Sequence, residues 1–170
     1  GPIAMRLAVS SSTDDADLFV VVRAFAPDMK EVVFMGALDP HTPIAQGWLR
    51  VSHRKTDPAR SLPYRPWHTH DEKQLIKPGQ VYPVDIEVWP TSLVVPKGYR
   101  IGVSVRGQDY VYTGGSGGRL SNMKNEFRGC GPFLHDDPRD RPMSRYGGTT
   151  QIHFGKDKEN WIYLPIIPHT

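Results

Sequence analysis

Apolar and polar side chains alternate along most of this chain in short runs with a period of two. Ile3, Met5, Leu7 and Val9 alternate with smaller or polar residues, which predicts a strand with one buried face. Ser10 to Asp17 is polar and turn-like. Asp17 to Ala26 (DLFVVVRAFA) is a near-continuous apolar run without helical spacing. Its β-branched and aromatic content predicts a central strand buried on both sides. Pro27-Asp28 breaks the run, and Glu31 to Gly36 predicts a shorter strand that completes a hairpin. Gly47 to Arg54 (GWLRVSHR) alternates again, with Trp48, Arg50 and Ser52 on one side and Leu49, Val51 and His53 on the other.

The most regular stretch is Lys77 to Gly107. Pro78-Gly79 places proline where φ is fixed and glycine where φ must be positive, and Pro96-Lys97-Gly98 is a second turn of this kind. After the first turn Val84, Ile86 and Val88 point one way and Asp85 and Glu87 the other. After the second, Ile101, Val103 and Val105 oppose Gly102, Ser104 and Arg106. Asp109 to Tyr112 extends this as a short strand. Two segments interrupt the rhythm. Lys55 to Leu75 is a long connection rich in proline, histidine and aromatics, and a loop of that length in a compact fold is usually functional or packed on something. Gly114 to Arg145 is irregular, with at most one helical turn around Ser121 to Phe127. Thr149 to Gly155 and Asn160 to Ile167 predict a terminal hairpin. About eight or nine short strands, no long helix and turns at regular spacing predict an all-β sandwich.

Composition adds limits to this picture. A chain of 170 residues is one domain by length, 1–170, and large enough to bury roughly 70% of its unfolded surface. The 16 prolines and 16 glycines are scattered between apolar runs, as frequent turns require. A single cysteine, Cys130, excludes an intrachain disulfide framework and a multi-cysteine zinc site. No apolar run approaches the length of a membrane span. The net charge of +3 is dispersed among mixed signs, which argues against nucleic acid as a partner. The lone thiol and the absence of a visible leader lead to the expectation of a reducing, cytoplasmic setting.

The segments GWLRVSHRKTDP, SLPYRPWHTHDE, KPGQVYPVDIEVWPTS and PKGYRIGVSVRG, with the ending GGTTQIHFG…IYLPIIP, occur in that order. Together they resemble the C-terminal domain of the CocE/NonD hydrolases, a family that includes cocaine esterase, α-amino acid ester hydrolases and X-prolyl dipeptidyl-peptidases. The opening GPIAMRLAVSSSTDDADLFVVV resembles the first strands of the same domain. The resemblance implies a jelly-roll β-sandwich of the galactose-binding-like type. It implies that the domain follows an α/β-hydrolase domain carrying a Ser–Asp–His triad, packs on it and helps wall its active site without supplying the triad. By this resemblance the catalytic domain of the same parent chain is the expected partner, and no cofactor is expected.

Several residue sets invite chemistry. Gly114 to Gly118 (GGSGG) matches the nucleophile-elbow pattern around Ser116. An elbow needs a strained strand-to-helix turn, and so much glycine gives slack instead, so a surface loop is expected. His68 and His70 could place two imidazoles on one side of an extended segment. No third ligand is evident, and Tyr64, Pro66 and Trp67 predict a packed aromatic loop. His135, Asp136, Asp137 and Asp140 could supply oxygens to a cation, but Arg139, Arg141 and Arg145 interleave with them and predict internal ion pairing. Trp48, Trp67, Trp89 and Trp161 raise a sugar-platform reading, although aromatics in sandwiches are more often core. The expectation is therefore a noncatalytic accessory domain of a serine hydrolase, with no catalytic residue and no metal ligand. Tyr64, Trp67, His68 and His70 are its candidate substrate-wall or domain-docking residues. The alternative is a free-standing carbohydrate-binding sandwich. Homo-oligomer contacts are compatible with either.

Overall fold

The computed structural model describes residues 1–36, 39–114, 128–131 and 134–167. Among these, eight strands run as β1 (Ile3–Ser11), β2 (Asp17–Phe25), β3 (Glu31–Val32), β4 (Ala45–Arg50), β5 (Tyr82–Val88), β6 (Arg100–Arg106), β7 (Thr150–Ile152) and β8 (Trp161–Tyr163), with one short helix, α1 (Met143–Tyr146). They form two four-stranded antiparallel sheets. In one, β1 pairs β5 on one edge and β7 and β8 on the other. In the second, β2 pairs β6 over Phe19–Phe25. The opposite edge of β2 is shared between β4 over Asp17–Val22 and β3 over Ala24–Phe25. The chain crosses between sheets after β1, β4, β5 and β6, giving the expected all-β jelly-roll sandwich.

The core lies between β1 and β2. Leu7 and Val9 from β1 and Val84, Ile86 and Val88 from β5 face Leu18, Val20 and Val22 from β2 and Leu49 from β4. Each such aliphatic side chain contributes about 1.5–3 kcal/mol on full burial. The alternation of β5 is as the sequence requires, and both turn glycines adopt positive φ, 77° at Gly79 and 90° at Gly98. The two-sided burial expected of Asp17–Ala26 also holds. Phe19 and Val21 face away from the core yet are buried, because Arg141, His135 and Tyr110 from the 107–146 connection lie across that face.

One flank of the sandwich is closed. The Trp89 N–H donates to Gln46 O at 2.9 Å, and β4 and β5 approach so closely that a Cβ on Gly47 would sit 2.3 Å from Glu87 O. Since β4 meets β5 on this flank, β6 and β7/β8 share the other.

Several elements depart from the sequence reading. The strand expected over Gly47–Arg54 ends at Arg50, and Val51–His53 form a 3-10 turn. The buried Asp15 carboxylate takes the Ser52 N–H and hydroxyl, and Ala16 O takes the Val51 N–H, which draws the chain out of the sheet. The strand expected over Glu31–Gly36 is only two residues long, followed by a single bridge between Phe34 and Thr42. Asp109 to Tyr112 is not strand, although Asp109 and Tyr110 are buried.

The terminal hairpin is not a hairpin. β7 and β8 lie end to end along β1, at Val9–Ser11 and Ala4–Arg6. Asn160 bridges the gap, its carboxamide accepting from Ala8 N–H at 2.9 Å and donating to His153 O at 2.8 Å. Ser116 with Gly115, Gly117 and Gly118, and the helical turn expected at Ser121–Phe127, lie outside the described residues.

Candidate functional site

The long 55–75 connection is ordered by its own hydrogen bonds. The Asp57 N–H donates to Trp67 O at 2.9 Å and the Thr69 N–H to Lys55 O at 3.1 Å, so its two limbs run antiparallel. Leu62 and Arg65 exchange both backbone bonds at the tip. The returning limb is tied down by Gln74 N–H to Ser52 O and Ile76 N–H to Asp14 O, and Ile76 enters the core.

This loop distributes the four predicted residues over three places. Trp67 is half-buried, with the Arg60 guanidinium 3.8 Å above its ring and Arg65 at 5.9 Å, contacts in which a cation meets the negative face of the indole. Tyr64 reaches the outer face of the first sheet, 6.1 Å from the Tyr163 ring on β8. His68 and His70 gather instead with His53, which sequence reasoning had placed on a strand face. His68 Nδ1 donates to His53 O at 3.1 Å, and its Nε2 is buried without a hydrogen-bond partner. Burial, with His70 close by, holds the His68 imidazole below its ordinary pKa, so the ring is neutral at neutral pH. His70 has a positive φ of 54°, a conformation rare outside glycine, which turns its Nδ1 to within 3.5 Å of His53 Nδ1. That contact needs a proton on one nitrogen and a lone pair on the other. Among the described residues, no three His, Cys, Asp or Glu side chains converge as a metal site would require.

A second feature is the flank opposite the β4–β5 closure. Ile101, Val103 and Val105 pair with Ala24, Val22 and Val20 and therefore project on the core side of their sheet. Ile101 is nevertheless 49% exposed and Val103 39%. Nothing described from the facing sheet covers them fully. The same flank carries β8, whose Ile162 pairs Met5 and faces inward only partly buried, and beyond β8 Ile166 and Ile167 are exposed. The alternation in β6 thus fixed which way these side chains point and not whether they are covered.

Several acids of the chain are held by named partners. Asp15 is fully buried and accepts four hydrogen bonds, from Ala16 N–H, Ser52 N–H, Ser52 Oγ and Tyr146 Oη, between 2.7 and 3.0 Å. Burial and the Asp15 charge push the Tyr146 phenol upward in pKa. Arg50 grips Asp17 through Nε at 2.8 Å and also reaches Asp140 at 2.9 Å, while Arg141 binds the second oxygen of Asp17 at 2.8 Å. The internal ion pairing expected of the 135–145 segment is present, but most of its pairs join residues far apart in sequence. Asp39 accepts from Gly129 N–H and Gly131 N–H at 2.7 and 2.8 Å and so anchors the segment holding Cys130. That thiol is buried, and burial pushes its pKa up to about 11, which leaves it protonated and inert.

Two contacts resemble halves of a catalytic triad. Ser10 Oγ lies 2.8 Å from His153 Nε2, and His135 Nδ1 lies 2.9 Å from Asp109. They involve different histidines, and Ser10 is only 3% exposed, so no substrate carbonyl can reach it. The tryptophans are not core residues, contrary to the expectation for a sandwich. Trp89 is 52% exposed and meets Trp48 edge to face at 4.9 Å, and Trp161 lies beside Arg6 at 5.8 Å.

An antiparallel jelly roll with two four-stranded sheets and one flank of inward apolar side chains left uncovered is in class a β-sandwich module. The chain belongs to the family of X-Pro dipeptidyl-peptidase C-terminal non-catalytic domains, which matches it over residues 1–160. It is similar in structure to two crystal structures of a CocE/NonD family hydrolase from Staphylococcus aureus. The first aligns with a TM-score of 0.76 at 26% identity, covering 98% of this chain and 28% of that one. The second aligns with a TM-score of 0.73 at 26% identity, covering 95% and 27%. The chain therefore spans little more than a quarter of that hydrolase. No curated protein matches the chain.

Proposed function

We propose that this chain is the C-terminal accessory domain of a longer serine hydrolase, an acyl esterase or an X-Pro dipeptidyl-peptidase-like enzyme. In this reading it packs on the α/β-hydrolase domain and helps shape its active site. The carrying observation is the family match over residues 1–160 in a chain that corresponds to only 28% of a similar hydrolase. The self-bonded 55–75 loop fits a wall element. It presents Tyr64, Trp67, His68 and His70 on a scaffold held by backbone hydrogen bonds, which costs little ordering entropy when a partner or substrate arrives.

The test compares the isolated chain with the full-length hydrolase on short-chain aryl esters. The chain alone is expected to show no turnover above the buffer rate. In the full-length enzyme, Tyr64→Ala and Trp67→Ala are expected to raise KM more than they lower kcat, as removal of uniform binding does. Turnover by the isolated chain that vanishes in Ser116→Ala would overturn the proposal. Saturable binding of oligosaccharides, lost in Trp89→Ala, would favour the carbohydrate module instead.

A further inference from the structure

Resting on the accessory-domain reading, we infer that the β6/β8 flank is the surface on which the catalytic part of the parent hydrolase sits. The four sides of the sandwich differ in how they are covered. The outer face of the β1 sheet carries the chain's own 55–75 loop, at Tyr163 and beside Asp85. The outer face of the β2 sheet carries the 107–146 connection, at Phe19 and Arg23. The third side is sealed by β4 against β5, at Gly47 and Val88. The fourth side is left with core-directed Ile101 and Val103 half in water.

A sandwich stable by itself covers the inward face of its edge strands, because each half-exposed aliphatic forgoes part of its burial energy. Uncovered inward side chains of this kind mark a surface completed by another body. A hydrolase in which this chain is about a quarter of the length supplies that body within the same polypeptide. Among the described residues, β6 and β8 also each leave one strand edge unpaired, since β6 pairs β2 and β8 pairs β1 on their other sides.

Single-cysteine labelling tests this assignment, because Cys130 is buried and protonated and reacts slowly at pH 7.5. Ile101→Cys, Val103→Cys, Tyr64→Cys and a control on the far turn, Gln80→Cys, are made in the 170-residue chain and in the full-length hydrolase. The expected result is at least tenfold slower labelling of positions 101 and 103 in the full-length enzyme, with position 80 equally fast in both. If positions 101 and 103 label equally in both while position 64 is protected, docking stands and the flank assignment falls. If no position is protected in the full-length enzyme, the accessory-domain reading falls as well. If positions 101 and 103 are already protected in the isolated chain and it sediments as a dimer, the occupant is a second copy and the inference is overturned. Hydrogen exchange of unmodified β6 in both proteins gives the same comparison without substitution, and equal exchange would count against the flank.

Discussion

Removing the Asp15 carboxylate tests the polar architecture most directly. Asp15 ties the β1–β2 connection to the turn after β4 and to α1, and Asp15→Ala takes away the acceptor of two buried amides, Ala16 and Ser52. Ser52 and Tyr146 hydroxyls can rotate toward other acceptors, but the amides cannot. Two orphaned buried donors at about 1–3 kcal/mol each give a loss of about 4 kcal/mol. With an unfolding entropy of about 2.1 cal/mol/K per residue, a chain of this length should lose about 11 °C in Tm. Asp15→Asn keeps an oxygen for the amides, and its NH₂ can donate to the two hydroxyls, so about 1 kcal/mol is expected. Asp14→Ala is the control. Its bridge to Arg145 is over a third exposed on both sides, a class of pair contributing about 0–1 kcal/mol. Urea titration followed by tryptophan fluorescence measures all three. A loss under about 1 kcal/mol for Asp15→Ala, or the same loss for Asp14→Ala and Asp15→Ala, would refute the reasoning.

Two further outcomes follow from the same geometry. Gly47→Ala drives a methyl against Glu87 O and the Val88 backbone, and should lower stability by about 2–3 kcal/mol through separation of β4 from β5; a urea midpoint within error of wild type would contradict this. His68 has its folded pKa lowered by burial, so the unfolded chain takes up the proton first, near pH 6.5. The stabilisation is complete above that pH and falls as pH drops through it toward the folded pKa, which urea midpoints at pH 7.5 and 5.0 will show. His68→Gln should flatten that part of the dependence.

How much of this was legible differs by element. β5 could be read residue by residue, because its Val84–Asp85–Ile86–Glu87–Val88 alternation reports burial on one face and solvent on the other. Gly79 and Gly98 announced their turns, since positive φ selects against a Cβ. The long run of β2 announced burial on both faces without naming what covers the second. The candidate residues Tyr64, Trp67, His68 and His70 were visible as a chemically rich loop. Their division between β8 and the His53 cluster was not, and neither was the role of His53, which lies in a segment that reads as strand.

Local preferences are written into neighbouring residues, so the sequence alone determined the antiparallel strands, their inward faces and the turns between most of them. It also determined the family, through an ordered set of segments. Partners 79 to 152 residues apart carry no local signal: Arg6 with Asp85, Asn160 with Ala8, and Asp15 rather than Asp14 with Tyr146. Tertiary structure alone laid β7 and β8 end to end on β1 and sealed β4 against β5. It also left Ile101 and Val103 uncovered, because coverage depends on which surfaces meet and not on the direction in which a side chain points.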